Sequence, residues 1–477
     1  AYLLLDFFSD SDIEIKNMAL KLIKNVPKAE FYPILLQNSL LPAHNETATQ
    51  TMVNIGEKMF PYLESVFYKT RQDIQIMIKI IQVYGLVGGE QAIELLWNKI
   101  DYPDKKIVAQ VLVALGKCGF TAKNEQITRI KLTIQSDIGN FVWNLSALEV
   151  IEAHKNTGDI FQAIKEDNDH IINHIFMLLS MIYDPHSIQL VKENLESNTS
   201  EGTTYALELL DVFLSDDIKE QISFLLDDMG HSDKFNKLQN YYPQSDLTFN
   251  ETLKHLVNRD FNQISRYAKA CAYMHMGVNG IKNFNLVLIA NLFNSDWLIK
   301  ECAAWTLYQT DPKAYHENLP RLPHNEQVAL NNCITSENIK PIRYQKINVL
   351  RKIGLFEMIP GNQLANLVED VYDFNVNDGQ IIDISDEVQK HFYILSFGKL
   401  NLLVNEEIEN QYSPGDILME YVKLKPEDKI CLQATEGNCQ VLKLNKENLY
   451  DFLSDHYDLS LKILEYLRKE VQSEEVF

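Results

Sequence analysis

The sequence predicts an α+β protein in which an N-terminal all-α superhelix over residues 1–338 is followed over residues 339–477 by a small β-roll with flanking helices. Two patterns carry this prediction. Up to about residue 335, apolar side chains recur at i, i+3, i+4 and i+7, the spacing of amphipathic helices that pack on one face. Further on, apolar and polar residues alternate and glycine interrupts the alternation, which is typical of strands joined by tight turns.

The composition disfavours some classes of partner. The 477 residues carry 66 acidic and 44 basic side chains, a formal net charge of −22. A broad nucleic-acid or anionic-membrane surface is therefore not expected, because such a chain repels phosphate groups. The six cysteines have no CxxC spacing and fall mostly in apolar segments, as buried thiols in a reducing cytoplasm do.

The segment shows neither a secretory leader nor an apolar run long enough to cross a membrane. We therefore expect a cytoplasmic location, which includes the cytoplasmic side of a membrane. The first residues, Tyr2–Phe8, already have the pattern of an amphipathic helix, and no initiator methionine precedes them. The sequence thus predicts a piece cut from a longer chain.

The helical part contains internal repeats. Glycine-containing breaks at Asn54–Glu57 and Val87–Glu90 each precede an amphipathic segment, at a spacing in the thirties. An aspartate-containing turn at Asp101–Asp104 separates two helical segments, and Asn294–Asp296 repeats this turn later in the chain. Paired helices with such a period predict an α-solenoid, in which each pair buries its apolar face against its neighbours. The aspartate is expected to cap the second helix of each pair.

This layout resembles HEAT repeats, which belong to the armadillo-like helical class. The resemblance implies a helix, an aspartate-containing turn and a second helix in each repeat. Near the end of the helical part, the small residues Cys302, Ala303 and Ala304 would let neighbouring helices approach closely.

The C-terminal part has the pattern of a β-roll closed by helices. Tight turns are expected at three glycines: Gly379, Gly398 and Gly415. Predicted strands flank these turns and continue through Ile430–Ala434 and Cys439–Leu444. A helix is expected from Lys446 onwards.

From Tyr344 to Glu470, the chain resembles the cyclic-nucleotide-binding domains of catabolite-activator-type regulators, protein kinase A regulatory subunits and gated channels. The resemblance rests on these segments: Val349–Phe356, Gln363–Leu367, Asp378–Ile382, Phe392–Gly398 and Pro414–Asp416. It implies a β-roll in which a cyclic phosphate lies on backbone N–H groups, with an arginine completing the charge and a glutamate binding the ribose.

The same resemblance implies four candidate ligand-binding residues: Leu418, Met419, Glu420 and Lys429. Glu420 stands at the ribose-binding position, but Met419 replaces the small glycine before it. No arginine occurs near Lys429, which lacks the bidentate fork of a guanidinium, and Asp428 beside it would repel phosphate. We therefore expect a degenerate pocket kept for protein contacts and no cofactor. A genuine cyclic-nucleotide or small-anion sensor is the alternative.

A further resemblance concerns the middle of the chain. Its segments are Ile175–Leu179, Tyr183–Pro185, Tyr205–Asp211, Leu214–Lys219 and Leu225–Asp228. They are similar to bacterial proteins in which an ATP/ADP-translocase-like membrane region precedes HEAT repeats and a cyclic-nucleotide-binding-like domain. The resemblance implies that a membrane transporter region of the same longer chain is a partner.

Residues that suggest an enzyme or a metal site have simpler explanations. His170 and His174 lie four apart on a predicted helix with Asp167 nearby, but the surrounding isoleucines are typical of a packed helix and a third ligand is not evident. The acidic pairs Asp216–Asp217 and Asp227–Asp228 fall at predicted helix ends, where carboxylates act as caps. We predict neither a metal site nor catalytic activity.

These observations predict a non-enzymatic regulatory or interaction protein. We expect the roll and its C-terminal helix to dock on the solenoid or to bias its curvature, while the acidic surface of the solenoid meets a protein partner. The chain ends at Phe477, soon after the predicted lid helix, so we expect no helix-turn-helix module and no nucleic-acid partner.

Overall fold

A computed structural model of the chain describes residues 6–10, 12–41, 43–69, 73–197, 199–335, 340–418, 428–455, 459–461 and 463. The chain forms two compact units. The first consists of Ala1–Glu149 with Asn168–Asp246, and the second of Val150–Asp167 with Leu247–Phe477. The second unit therefore contains helices from both sides of residue 338, and the domain boundary expected there stays a prediction.

The first unit is helical, and two of its long helices extend into the second unit. The helices are α1 (Ile13–Leu22), α2 (Tyr32–Asn38), α3 (Asn45–Ile55), α4 (Phe60–Phe67), α5 (Ile74–Val87), α6 (Gly89–Trp97), α7 (Lys105–Lys117), α8 (Glu125–Glu152), α9 (Gly158–Ile182), α10 (Pro185–Glu196), α11 (Ser200–Phe213), α12 (Asp216–Leu226) and α13 (His231–Leu238). A short 3-10 helix at Asp6–Ser9 precedes them, and the rest of the expected first helix, Tyr2–Leu5, lies outside the described residues.

The repeat signals of the sequence correspond to helix ends. Gly56 ends α3 and Gly88 ends α5, each with φ of +68°, a left-handed conformation that costs glycine little. Asp104 caps α7 by accepting the backbone N–H groups of Lys106 at 2.8 Å and Ile107 at 3.3 Å, so the predicted cap is confirmed. These features produce paired helices, whereas a HEAT superhelix stays a proposal.

The helical periodicity of the sequence predicts a break every ten to fifteen residues or so, and this prediction is wrong for α8 and α9, which are 28 and 25 residues long. Polar residues inside these helices are partnered inside the unit. Asn144 donates to Asn168 at 2.8 Å, and both side chains are buried. A buried polar side chain with a partner does not interrupt a helix.

The second unit begins with helices and ends with the roll. Its helices are α14 (Phe249–Asn258), α15 (Arg266–Val278), α16 (Asn285–Leu292), α17 (Trp297–Thr310), α18 (Pro312–Asn318), α19 (His324–Ile334), α20 (Arg343–Leu350), α21 (Gly354–Glu357), α22 (Gly361–Leu367) and α23 (Lys446–Asp455). As predicted, Asp296 caps α17 through the N–H of Ile299, and Cys302–Ala304 are fully buried. No helix among the described residues is long and apolar enough to cross a membrane.

The predicted β-roll is confirmed as two four-stranded antiparallel sheets. The strands are β1 (Val371–Val376), β2 (Ile381–Asp383), β3 (His391–Phe397), β4 (Leu400–Val404), β5 (Glu407–Tyr412), β6 (Ile417–Leu418), β7 (Ile430–Ala434) and β8 (Cys439–Asn445). One sheet has the order β1-β8-β3-β6 and the other β2-β7-β4-β5. Gly379, Gly398 and Gly415 adopt positive φ in the connections where turns were expected.

The two sheets enclose an apolar core. Its fully buried members are Val376, Ile384, Val388, Tyr393, Leu395, Leu400, Leu402, Leu418, Ile430, Leu432, Ala434, Cys439 and Val441. Gly398 is required where β3 turns into β4, because its φ is +91° and an added Cβ would meet the Cys439 sulfur at 2.6 Å. The strand β5 was not predicted. Its acidic and polar sequence has low β-propensity, and it forms an exposed edge paired only with β4 among the described strands.

Candidate functional site

The structure places Leu418 inside the roll. Leu418 ends β6, pairs with Tyr393 of β3 and is 2% exposed. Its side chain belongs to the apolar core that also contains Ile430, the first residue of β7. The next two candidate residues, Met419 and Glu420, lie outside the described residues, so the expected contacts with ribose and phosphate stay predictions.

Lys429 lies at the start of β7 with its side chain exposed. Its backbone is fixed by the turn between β4 and β5, where Asn405 and Glu406 adopt φ of +51° and +73°. The N–H of Lys429 donates to the Asn405 side chain at 3.0 Å, and the N–H of Asn405 donates to the Lys429 carbonyl at 2.9 Å. The same Asn405 side chain donates to the Asp428 carboxylate at 2.9 Å.

Two carboxylates lie near Lys429 among the residues that the structure describes. Asp428 precedes it in the chain, and Asp383 of β2 is close enough for the Lys429 charge to contribute to its lowered pKa. The main cause of that lowered pKa is Ser385, whose hydroxyl and N–H donate to Asp383 at 2.6 and 3.0 Å. An ammonium between carboxylates offers a phosphate much less attraction than an arginine fork does.

Polar groups of β3 and β8 share one partner, Glu387, in the connection before β3. The Tyr393 hydroxyl, whose pKa is raised by burial, donates to Glu387 at 3.4 Å. Lys443 also forms an ion pair with Glu387, and this contact is the main cause of the lowered pKa of the carboxylate. Sequence reasoning missed both contacts, because each joins residues whose spacing has no local periodicity.

The two histidines do not converge on a described metal cluster. His174 Nδ1 lies 2.6 Å from Asp137, a pairing within the first unit. The Asp167 carboxylate accepts the N–H of Ser265 at 2.8 Å within the second unit. Among the residues that the structure describes, no group of three or more histidines, cysteines or carboxylates could hold a metal ion.

A buried polar network in the second unit connects the helices that precede the roll to α9 and α15. Arg351 donates to Glu166 at 2.9 Å and to the Tyr267 hydroxyl at 2.8 Å. The other oxygen of Glu166 accepts the N–H of Gly361, the first residue of α22, at 2.7 Å. Tyr344 of α20 donates to Asp159 at 2.8 Å. These contacts hold α20 and α22 against the other helices of the unit.

A second group of charges lies between α15, α17 and α20. Glu369 accepts from both Arg266, at 3.0 Å, and Arg343, at 2.7 Å. Arg266 also binds Asp296 at 2.9 Å, and Arg343 pairs with Glu301, whose side chain is only 8% exposed. Burial raises the pKa of Glu301, and Arg343 opposes that rise. Buried charges of this kind require their partners, since either one alone would be unsolvated.

The roll is joined to these helices through Lys346. Its ammonium lies 2.7 Å from Asp373 of β1 and donates to the Val371 carbonyl at 2.8 Å.

The sequence contained a signal for the buried ion pairs of α17. Lys300 and Glu301 lie inside the apolar run of this helix, where two adjacent charges are unexpected unless both are paired. The sequence alone did not identify their partners.

No family model matches the sequence, and no curated protein matches it. Similar solved structures include the cAMP-bound PfPKA-R fragment, which is 21% identical to this chain with a TM-score of 0.21. The match covers 28% of this chain and 48% of the PfPKA-R fragment. This chain therefore spans about half of the length of that fragment. The sensor domain of the transcriptional regulator DNR from Pseudomonas aeruginosa is 20% identical with a TM-score of 0.23, and the match covers 28% of this chain and 93% of that chain.

The C-linker/CNBHD of zELK channels, crystallized in the presence of cAMP, is 15% identical with a TM-score of 0.19, and the match covers 34% of this chain and 95% of that chain. These TM-scores are low. The roll is therefore defined by its sheet order, its glycine turns and its apolar core. The ligands of these proteins are not assigned to this chain.

Proposed function

We propose that this chain is a non-enzymatic regulatory protein, in which a HEAT-like helical scaffold carries a cyclic-nucleotide-binding-like roll whose pocket no longer binds the ordinary ligand. The observation that carries the proposal is the setting of Lys429, the cation nearest to the expected phosphate position. Asp428 and Asp383 lie near it, so an incoming phosphate would meet carboxylates as well as the ammonium. Repulsion from these carboxylates offsets the attraction of one exposed lysine.

The interior of the roll supports the same proposal. Leu418, Ile430 and Leu432 contribute to a core of apolar side chains, each at most 2% exposed. A nucleotide pocket requires a few convergent polar groups among its apolar walls. Glu387 and Lys443, two of the polar side chains described in the roll, are paired with each other.

In this proposal the roll works through protein contacts. The network around Arg351 and Glu166 ties α20 and α22 to α9 and α15, which supports a role in which the roll and part of the helical scaffold act as one body. The partner is a protein that meets the acidic surface of the scaffold. The resemblance to translocase-like proteins makes a nucleotide-transporter membrane region the first candidate, with this chain on its cytoplasmic side.

Calorimetric titration of the full chain with cyclic AMP and cyclic GMP tests the proposal. We expect no saturable heat at millimolar nucleotide, since a Kd near 1 mM corresponds to only about −4 kcal/mol. The titration is repeated with Glu420→Ala and Lys429→Ala, and with Lys399→Ala as a matched control. Lys399 is another exposed lysine of the roll, paired with Glu436 at 2.8 Å.

Micromolar binding that Glu420→Ala and Lys429→Ala both weaken, and that Lys399→Ala leaves unchanged, would make the chain a nucleotide sensor and overturn the proposal. Micromolar binding of inorganic phosphate that Lys429→Ala weakens and Lys399→Ala leaves unchanged would select a small-anion sensor instead. Weak heat that Lys429→Ala and Lys399→Ala reduce equally reflects general charge and leaves the degenerate pocket standing.

A further inference from the structure

The first helix of the chain carries an apolar stripe that the fold does not bury. Ile15, Met18 and Leu22 are 36%, 60% and 49% exposed, at spacings of three and four residues along α1. These spacings place the three side chains on one face. The described part of the chain has no other run of large exposed apolar side chains as dense as this one.

The stripe is not the core face of α1. The helix packs on its own unit through a different face, where Ala19, Leu20 and Ile23 are at most 3% exposed. The loop before α3 fixes the helix as well, because Asn17 donates to the Ala43 carbonyl at 3.2 Å. An anchored helix with a second apolar face is typical of a docking surface.

Charges along α1 are arranged with opposite signs at its two ends. Asp12 caps the helix and Glu14 follows in its first turn, whereas Lys21 lies in the last turn and Lys24 just beyond it. All four residues are exposed. This polarity suits the helix dipole, and it also makes the stripe complementary to a copy of itself that runs in the opposite direction.

We propose that the face formed by Ile15, Met18 and Leu22 pairs antiparallel with the same face of a second copy of this chain. If the two-fold axis passes near Met18, position 14 of one copy lies opposite position 22 of the other. Glu14 then lies one residue from Lys21 of the second copy, and symmetry generates the pair twice. Positions 14 and 21 are two helical turns apart on the same flank of the stripe, the arrangement that ion pairs across antiparallel helices require.

The charges of α1 favour a second copy of the chain over an anionic membrane or a uniformly charged peptide. An anionic membrane would attract Lys21 and Lys24 but repel Asp12 and Glu14. A uniformly acidic or basic peptide would likewise match only one end of α1. The surface is short, because α1 has 10 residues, so the interface is smaller than a standard one of about 1,200–2,000 Å². We therefore expect a weak dimer.

Sedimentation equilibrium of the full chain over a range of concentrations tests this inference. Wild-type protein should associate to a dimer, and Met18→Glu should raise the Kd by about 30-fold or more, because it places two charges in an apolar seam. Val212→Glu is the matched control, since Val212 is a helical residue of the same unit and is 84% exposed. It should leave the Kd unchanged. Because both residues are exposed, thermal unfolding at low concentration should confirm that both variants fold.

A charge exchange tests the antiparallel arrangement itself. Lys21→Glu replaces two attractive pairs with two repulsive ones and should weaken association by about 10-fold. The double variant Glu14→Lys/Lys21→Glu restores opposite charges and should return the Kd to within about threefold of wild type. A wild-type chain that remains monomeric at about 1 mM, a dimer that Met18→Glu leaves intact, or a double variant as weak as Lys21→Glu would each overturn the proposal.

Discussion

Arg351 and Glu166 are joined across 185 positions of the sequence by a hydrogen-bonded ion pair of 2.9 Å. The guanidinium uses its other terminal nitrogen to bind the Tyr267 hydroxyl, and the second carboxylate oxygen binds the N–H of Gly361. One ion pair therefore fixes the start of α22 and the end of α20 against α9 and α15. This arrangement identifies the helices before the roll as part of the same packed body as the preceding helices of the second unit.

Replacing Arg351 should weaken the second unit strongly. Arg351→Met keeps much of the aliphatic side chain but leaves the Glu166 carboxylate, whose side chain is 11% exposed, without its cation. Removing one partner of a largely buried ion pair costs about 3 kcal/mol. Urea denaturation followed by tryptophan fluorescence should show this loss in the free energy of unfolding.

The control for Arg351→Met is Lys313→Met. Lys313 also pairs with a glutamate, Glu317, but at 3.8 Å and with a side chain that is 85% exposed. Its loss should change the free energy of unfolding by less than about 0.5 kcal/mol. Equal effects of the two substitutions would show that the Arg351 pair is no stronger than a surface pair.

Gly361 should not tolerate a side chain. A Cβ at this position would lie well within 3.0 Å of the Tyr267 ring, a distance that real Cβ atoms do not show. Gly361→Ala must therefore displace Tyr267, which is 1% exposed and holds Arg351. We expect a loss of about 1–3 kcal/mol in the free energy of unfolding.

Gly116→Ala provides the comparison for Gly361→Ala. Gly116 lies inside α7, and nothing lies within 4 Å of an added Cβ. This substitution should stabilise the protein by about 0.5–1 kcal/mol, because alanine loses less backbone entropy than glycine in a helix. Thermal melting of both variants gives the comparison, and a stabilising Gly361→Ala would contradict the close packing against Tyr267.

Local features of the fold could be predicted from the sequence, because they depend on neighbouring residues. The turn at Gly398 follows from one glycine between two alternating segments, and the cap of α7 follows from Asp104 before an amphipathic run. Long-range pairs could not be predicted in this way. Tyr344 and Asp159 are 185 positions apart, and nothing in the local spacing of either residue identifies the other.

The candidate site was only partly predictable for the same reason. The position of Leu418 at the end of a strand follows from the turn at Gly415. The surroundings of Lys429 depend on Asn405 and Asp383, which come from two other strands or turns. Sequence spacing indicates which residues are near in the chain, whereas the electrostatic setting depends on residues that only the sheet brings together.

Lys269 should make the stability of the second unit depend on pH. Burial lowers the pKa of this lysine to about 8, Asp260 partly opposes the shift, and the Arg259 guanidinium adds to it. Lys269 is 6% exposed, and its ammonium lies 4.2 Å from the centre of the Phe261 ring. Below pH 8 the folded state must bury a charge that the unfolded chain exposes to water, so the lysine destabilises the fold there.

Lys269→Met removes that cost and should raise the free energy of unfolding at pH 7 by about 1–3 kcal/mol. As the pH rises from 8 towards 10.5, the wild-type folded state loses its proton before the unfolded state does, so the advantage of the variant should shrink. Urea denaturation of both proteins at several pH values measures the difference. Lys254→Met, at an exposed position of α14, should show no such trend, and a constant difference for Lys269→Met would contradict the burial effect.

Asp296 and Asp104 occupy equivalent capping positions but should differ in their sensitivity to loss of charge. Each caps a helix after a turn that the sequence identified. Among the contacts that the structure describes, Asp104 only caps α7, whereas the second oxygen of Asp296 binds Arg266 at 2.9 Å. Asparagine caps a helix about as well as aspartate, so Asp104→Asn should cost less than about 0.5 kcal/mol.

Asp296→Asn keeps the cap but removes the charge that faces Arg266, so it should cost about 1–2 kcal/mol. The loss stays below that of a wholly unpaired arginine because Glu369 also binds Arg266, at 3.0 Å. Combining Asp296→Asn with Glu369→Gln should therefore cost more than the two single changes together, since Arg266 then loses both carboxylates at once. Additive losses in the double variant would show that the two carboxylates act independently, and that this charge group does not couple α17 to the helices before the roll.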